Sequence, residues 1–481
     1  MKKLLSAFAA FLIFASVPVS AVTPQCVTDF MQTDSMKNAD FALIVKDMET
    51  GEIVYDYNIK NSVVPASTLK TVTTATALEI FGADYRYETL LQYDGEIKDG
   101  VLHGNIHIKG SGDPSLGSEY FENQTKFLDD WAEAIQKLGI KKITGRVIAD
   151  ESIFDNQGTH PRWQAEDLGL GYGAGSYGIN IFDNRYRLYL KSGEVGSKPT
   201  IEKTAPEMKF NFINTLTVSN NAIGGSIFGV PFSNERYLNG SLSPNSSKIV
   251  YGDISDPAVY VANLLTDKIE NIGISTKEMP TCSRLLIQSG KSLPQERKHI
   301  TTTYSPALGE IVKVTNYFSR NLYADALLKT IGTLHPKTDK PLTSFEKGIN
   351  ILKKLWHCEK GIDCSLILYD GSGLAPVNRV TATFVSEILE YMATKSVHSE
   401  AFINSFPMAG VNGTANNFLR GTCLQGKAAL KSGWMTGVQC YAGYITRDRK
   451  KYIVGVFANN YHCNTLEINK AIENILLNLF S

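Results

Sequence analysis

A serine and a lysine stand three residues apart in "VPASTLKTVTTATALEIFG", the serine at position 67 and the lysine at position 70. Residues i and i+3 of a helix share one face, so Ser67 and Lys70 point into the same space. A serine hydroxyl is a poor nucleophile at neutral pH and needs a base within hydrogen-bond reach, and an unprotonated lysine amine is such a base. The pair is the smallest unit from which a Ser-Lys acyl-transfer centre can be built. The same four-residue pattern also arises by chance, with serine capping a helix and lysine reaching out to water. Partners elsewhere in the chain decide between the two readings.

Two further groups supply those partners. "VKVTNYFSRNLYADALLKTIG" carries Ser319, Arg320 and Asn321 inside a helical pattern, and "ALKSGWMTGVQCYAGYI" carries Lys431, Ser432 and Gly433 on an expected strand. S-x-x-K, then S-x-N, then K-[ST]-G is the motif order of the penicillin-recognising serine acyltransferases.

With these motifs the chain resembles the D-alanyl-D-alanine carboxypeptidases and endopeptidases of the DacB, or penicillin-binding protein 4, type, the class C low-molecular-mass penicillin-binding proteins. "PASTLKTVTTATALEIFGADYRYET", "GNIHIKGSGDPSLGS", "YDGSGLAPVNRVT" and "MAGVNGTANNFLRGT" extend the resemblance over nearly the whole chain, as does the wide gap between Ser67 and Ser319. The resemblance implies a serine D-Ala-D-Ala carboxypeptidase and D,D-endopeptidase that acts on peptidoglycan stem peptides, is inhibited by β-lactams and uses no cofactor or metal. Ser67 would be the nucleophile, Lys70 its base and Ser319 a proton relay. Asn321 would hold a substrate amide, Lys431, Ser432 and Gly433 would face the terminal carboxylate, and the amides of Ser67 and Trp434 would form the oxyanion hole. Burial and a nearby cation, Lys431, would bring Lys70 down from the ordinary lysine range of about 10.4. The chain departs from the family pattern at Trp434, where a Ser or Thr hydroxyl is usual, at Asn412 and at Arg320, both commonly Asp.

These residues need elements to position them. "FALIVKDMETGEIVYDYN" reads as two strands around a turn at Glu49–Glu52, ahead of the Ser67 helix. At the far end "GKAALKSG", "GVQCYAGYIT" and "KYIVGVFANN" read as three more strands, with a turn at Arg447-Asp448-Arg449 between the last two. A closing helix places Ile468, Ile472, Ile475 and Leu479 on one stripe. Apart, each of these would leave an apolar face unburied; together they make one antiparallel sheet covered by helices. The expected fold class is α+β: a transpeptidase-like domain built on a five-stranded sheet from residues 22–88 and 299–481. A large β-rich insertion, residues 89–298, would lie between the first two motifs, with helical periodicity only in "QTKFLDDWAEAIQKLG".

Composition sets the outer limits. At 481 residues, two or three domains are expected. Lys plus Arg equals Asp plus Glu at 48 each, which removes a whole-protein electrostatic case for nucleic acid. "MKKLLSAFAAFLIFASVPVSA" reads as a secretory signal peptide, residues 1–21, and no later stretch is long enough to span a membrane, so the mature chain is expected to be periplasmic or secreted. Of the 7 cysteines, Cys358 and Cys364 flank a short Gly-containing turn and are expected to pair. His103 and His107, four apart and expected on one strand face, lack further ligands for zinc. Asp113 is expected to fix a turn, "DGSG" at 370–373 to be a structural loop near the site, and Tyr177 to be a candidate pocket wall.

Two other functions fit part of the sequence. A secreted β-lactamase would use the same nucleophile but needs an efficient deacylation base, and the long insertion argues against its compact fold. A catalytically weak cell-wall binding module would have no need of Ser67, Lys70, Ser319, Asn321 and Lys431 together.

Overall fold

The computed structural model describes residues 22–480; the expected signal peptide lies outside them. Strands β1 (Asp40–Asp47) and β2 (Ile53–Tyr57) come from the N-terminal end, and β3 (Ala428–Met435), β4 (Val438–Arg447) and β5 (Lys450–Asn459) from the C-terminal end. They form one antiparallel sheet in the order β3-β4-β5-β1-β2. The β1–β2 turn is fixed by Asp47, whose Oδ1 accepts from the amides of Glu49 and Thr50, with Gly51 at φ 74°.

Side chains alternate across a strand, and β1 uses both faces. Ala42 and Ile44 join the core that contains the Ser67 helix, while Phe41, Leu43 and Val45 pack with Ile468, Ile472 and Leu476 of the closing helix, Thr465–Leu479. The sheet is therefore the middle of three layers. Helix α1 (Leu69–Phe81) is buried on every side from Leu69 to Leu78, as its uniformly apolar and Thr-rich sequence requires. Its threonine hydroxyls all donate to backbone carbonyls, Thr74 to Lys70 O and Thr76 to Val72 O at 2.7 Å within the helix, Thr71 to Thr68 O at 2.8 Å and Thr73 to Gly371 O at 2.7 Å, so none is left unpaired in the core. Helix α2 (Asn321–Gly332) packs against α1.

Residues 88–304 form the remaining sheets. A five-stranded one joins Glu88–Tyr93, Ile106–Lys109, Val147–Asp150, Thr281–Cys282 and Lys298–Tyr304, and its core includes Trp131 and Ile135 of helix Lys126–Lys137. The β-rich reading missed a second helix here, Pro257–Asn271, which packs Val261, Leu265 and Ile269 into the same core. Its signal was present: Asp256 caps it through Val259 N, and Pro257 occupies its first turn.

Three further expectations need correction. His103 and His107 lie on separate strands of different sheets, because the chain turns at Gly104 and Asn105; His107 is buried on Asp94 at 2.7 Å, while His103 is exposed. Cys358 and Cys364 are free thiols. Cys358 is exposed on a widened helical turn, Lys354–Glu359, and Cys364 is half-buried in the chain leaving it, so the bend at Gly361 does not close into a bond. Tyr177 is buried between Gly158, Gly175 and Phe232 rather than on the site described below.

Candidate active site

Ser67 sits in a 3-10 turn, Ala66–Thr68, that runs directly into α1. Ala66 takes a positive φ of 44°, a conformation that costs a residue with a Cβ free energy. The turn is held from both sides by close backbone approaches. A Cβ on Gly373 would stand 1.8 Å from Ala66 O, and one on Gly433 would stand 2.9 Å from Ser67 N. Both positions therefore need glycine, and edge strand β3 lies in contact with the backbone of the serine turn.

Lys70 follows one turn later and is fully buried. Its Nζ lies 2.8 Å from Ser67 Oγ, 2.6 Å from Asn321 Oδ1 and 2.6 Å from the Ser372 carbonyl oxygen. Asn321 is oriented by its other end, where Nδ2 donates to Tyr172 O at 2.9 Å. Burial holds the Lys70 ammonium down to about 7, against the upward pull of Asp325 and Asp370; Arg320 adds to the fall. The expected neighbour, Lys431, is linked to it: burial, and then Lys70 itself, hold the Lys431 amine well below the ordinary lysine range, so the two amines oppose each other's protonation.

Ser319 is not inside a helix as the pattern suggested. Helix Leu308–Tyr317 ends before it and α2 begins at Asn321, with Ser319 in the break at φ 57°. The break turns Ser319 toward β3, where Lys431 Nζ donates to Ser319 Oγ at 2.9 Å and to the Ser432 carbonyl at 2.6 Å. Ser432 Oγ donates to Thr414 Oγ1 at 3.0 Å. Trp434 is 57% exposed, with its indole nitrogen donating to Thr465 at 3.2 Å, so its ring lies at the rim. Ser67, Lys70, Ser319, Asn321, Lys431 and Ser432 thus form one connected cleft with Gly433 and Trp434 along its β3 edge.

The "DGSG" loop lies where expected, and Asp370 organises it. One carboxylate oxygen accepts from Gly373 N and Asn378, the other from Ala375 N and the Trp163 indole. Asp113 fixes a turn by accepting from Ser115 N at 2.8 Å.

Several supporting residues escaped the sequence reading. Asp325 accepts from the amides of Gly371 and Ser372 at 2.8 and 3.0 Å, which aims the Ser372 carbonyl at Lys70. Burial pushes the Asp325 carboxyl up to about 7, with Asp370 adding to the rise. Its signal was its spacing: Asn321, Asp325 and Lys329 recur every four residues and make one polar stripe on buried α2. Tyr172 O and Ser372 O carry no such signal, because a backbone carbonyl is not written in the residue type. Among the described residues, no group of His, Cys, Asp and Glu could hold a metal ion, and no helix is long and apolar enough to cross a membrane.

Comparison with known proteins gives a consistent picture. The model of the D-Ala-D-Ala carboxypeptidase 3 (S13) family matches residues 24–479. D-alanyl-D-alanine carboxypeptidase DacB of Haemophilus influenzae is 27% identical over 480 residues, covering 97% of this chain and 95% of the relative. A D-alanyl-D-alanine carboxypeptidase of Actinomadura sp. is 26% identical over 457 residues, covering 90% and 80%. The crystal structure of Haemophilus influenzae penicillin binding protein 4 matches with a TM-score of 0.79 at 25% identity, over 95% of this chain and 99% of that one. That protein has also been solved in complex with a β-lactam.

Proposed function

The chain belongs to the D-Ala-D-Ala carboxypeptidase 3 (S13) family, and on that premise we propose that it hydrolyses peptidoglycan stem peptides through an acyl-enzyme on Ser67, with Lys70 as the base. The observation that carries this reading is the set of partners around Lys70 Nζ. Two of the three, Asn321 Oδ1 and Ser372 O, can only accept hydrogen bonds, whereas the Ser67 hydroxyl can donate. A neutral amine has two hydrogens and one lone pair. The hydrogens satisfy the two carbonyl oxygens, and the lone pair is left for the proton of Ser67.

In the proposed reaction Ser67 Oγ bonds to the carbonyl carbon of the D-Ala-D-Ala amide as its proton passes to Lys70. The amides of Ser67 and Trp434 receive the developing oxyanion. When the C–N bond breaks, the leaving amine takes the proton that Lys70 received, through Ser319, which Lys431 holds at 2.9 Å, and Lys70 is neutral again. Water then adds to the ester carbonyl as its proton passes to Lys70, and that proton goes on to Ser67 Oγ as the ester C–O bond breaks. Asn321 guides the peptide backbone, and Lys431 and Ser432 receive the terminal carboxylate, whose charge stabilises the protonated form of Lys431 that burial disfavours. The same chemistry with a leaving amine on a second stem is endopeptidase cleavage. A β-lactam, whose strained amide takes the place of the scissile bond, acylates Ser67 and clears slowly. Such an enzyme acts where the wall is, in the periplasm or outside the cell.

The test is labelling with a fluorescent penicillin, followed by peptide mapping. A slowly clearing adduct on the peptide containing Ser67, absent in Ser67→Ala, is expected. Rapid turnover would indicate a β-lactamase, and an unlabelled protein would indicate the binding module.

A further inference from the structure

A carboxylate ion has two oxygens and room for about four hydrogen bonds, and in the reading above it is received by Lys431 and Ser432. Those two groups alone leave it short of donors. Lys431 Nζ already donates to Ser319 Oγ and to the Ser432 carbonyl, so even its protonated form has only one hydrogen to spare. Side chains alternate across a strand, and the next residue of β3 on the face of Ser432 is Trp434. It has no hydroxyl, and its indole nitrogen turns to Thr465. The strand therefore presents a single hydroxyl where the carboxylate must sit.

A second hydroxyl comes from a different part of the chain. Thr414 lies in a 3-10 turn, Gly413–Ala415, and its Oγ1 stands 3.0 Å from Ser432 Oγ. Two hydroxyls joined by one hydrogen bond have two protons and use one between them. Among the described residues neither oxygen makes another hydrogen bond, so one proton of the pair is left without an acceptor, and Thr414 is exposed. The turn is built to hold the hydroxyl there. Leu430 N donates to Pro407 O at 3.0 Å and Ala409 N to Ala428 O at 2.8 Å, which lace the preceding loop to β3. Asn412 Oδ1 closes that loop by accepting from Met408 N at 2.7 Å. On the other side Gly413, at φ 56°, packs so closely on the end of helix Leu308–Tyr317 that a Cβ would stand 2.9 Å from Tyr317 O. Thr414 is thus fixed between the break that carries Ser319 and the strand that carries Lys431. A donor held in place before binding loses less conformational freedom on binding than one on a free loop.

We propose that Thr414 is a substrate-binding residue whose hydroxyl, paired with that of Ser432, donates to the terminal carboxylate of the peptide. This rests on the acyl-transfer reading, which places that carboxylate at Lys431 and Ser432, and it adds a residue from outside the three motifs. It makes Thr414 a determinant of the preference for a free C-terminus over a capped one.

The test compares two synthetic peptides that end in D-Ala-D-Ala, one with a free terminal carboxylate and one with its primary amide. The readout is the ratio of kcat/KM between acid and amide in wild type, Thr414→Val and Thr414→Ser. Valine keeps the shape and loses the hydroxyl, whereas serine keeps the hydroxyl. Thr414 is exposed, so neither change disturbs the core, and any general effect on Ser67 and Lys70 cancels in the ratio. The wild type should favour the acid, and Thr414→Val should lower that preference by ~10-fold, the size of one charge-assisted hydrogen bond. Thr414→Ser should keep most of it. A wild-type ratio near one, or an unchanged ratio in Thr414→Val, overturns the proposal. So does a ratio in Thr414→Ser as low as that in Thr414→Val, because it would trace the effect to shape rather than to the hydroxyl. Fluorescent-penicillin labelling of Ser67 in the wild type separates the two levels. A labelled enzyme with the wrong ratios refutes the Thr414 contact alone, and an unlabelled one refutes the acyl-transfer reading with it.

Discussion

Lys70 and Lys329 are two fully buried lysines in one layer of helices, and they differ in a single partner. Each donates to two carbonyl oxygens: Lys70 to Asn321 Oδ1 and Ser372 O, Lys329 to Gln157 O and Ser176 O at 2.6 Å each. Burial lowers both amines, Lys70 to about 7 and Lys329 to about 8. At the third position Lys70 meets a hydroxyl, whereas Lys329 faces the rings of Phe345 at 4.5 Å and Phe154 at 5.7 Å. An aromatic face favours the cation and has no proton to give. Burial alone therefore makes an amine that is easily neutralised, and the third partner decides whether it is a base or a tie. Lys329 ties α2 to the loops around residues 157 and 176, and so holds Asn321 and Asp325, on the same stripe, in register with the serine turn.

The largest effect that would break this comparison is the loss of the base. Lys70→Arg keeps the positive charge but cannot accept a proton, so it should acylate at least ~100-fold more slowly than wild type, and nearly as slowly as Lys70→Ala. Substantial acylation by Lys70→Arg would make Lys70 an electrostatic anchor, no different in kind from Lys329.

Lys329→Met should have the opposite profile. Methionine fills a similar volume but leaves two buried carbonyls without their donor, a loss of about 2 kcal/mol in stability. Acylation by the folded protein should fall by less than ~10-fold, below the usual contribution of a general base. The pH dependence of stability gives a second readout. Because the folded-state value of about 8 lies below the ordinary lysine value of 10.5, the unfolded chain binds the proton more readily between them. Lys329 therefore contributes a rise in stability as pH increases through that window, and a loss as pH falls back through about 8. Thermal melts across the window should show a shallower rise for Lys329→Met than for wild type. An equal slope would mean that Lys329 has an ordinary pKa in the folded protein.

The smallest effect sharpens the comparison from the acid side. Asp325 pulls Lys70 upward and clamps the loop that presents the Ser372 carbonyl. Asp325→Asn keeps an oxygen for the two amides and removes the charge, so the acid limb of the acylation profile should move to lower pH. An acid limb that stays where it is in wild type would show that the charge of Asp325 does not reach Lys70.

How much of this could be read from the sequence follows from the range of each contact. Ser67 and Lys70 are local to one helical turn, and the three motifs occur in order, so the residues of the cleft were legible. So was the five-stranded sheet, because the strands at the two ends each had an apolar face that only the other end could cover. The break at Ser319 was not, since the apolar pattern runs on across it and only the backbone at φ 57° reveals it. The charges around Lys70 were read only in part. Lys431 and Lys70 oppose each other's protonation, and Arg320, a departure from the family pattern, adds to the fall of Lys70.

The most direct test of Lys70 as a neutral base is the pH profile of Ser67 acylation by a chromogenic β-lactam in the wild-type enzyme, from about pH 5 to about pH 10. The structure predicts a rate that is level above neutrality and falls tenfold per pH unit below an apparent pKa of about 7, the value at which the buried amine takes up its proton. A rate that holds level down to pH ~5, or one that rises only as pH approaches the ordinary lysine range near ~10, would contradict it.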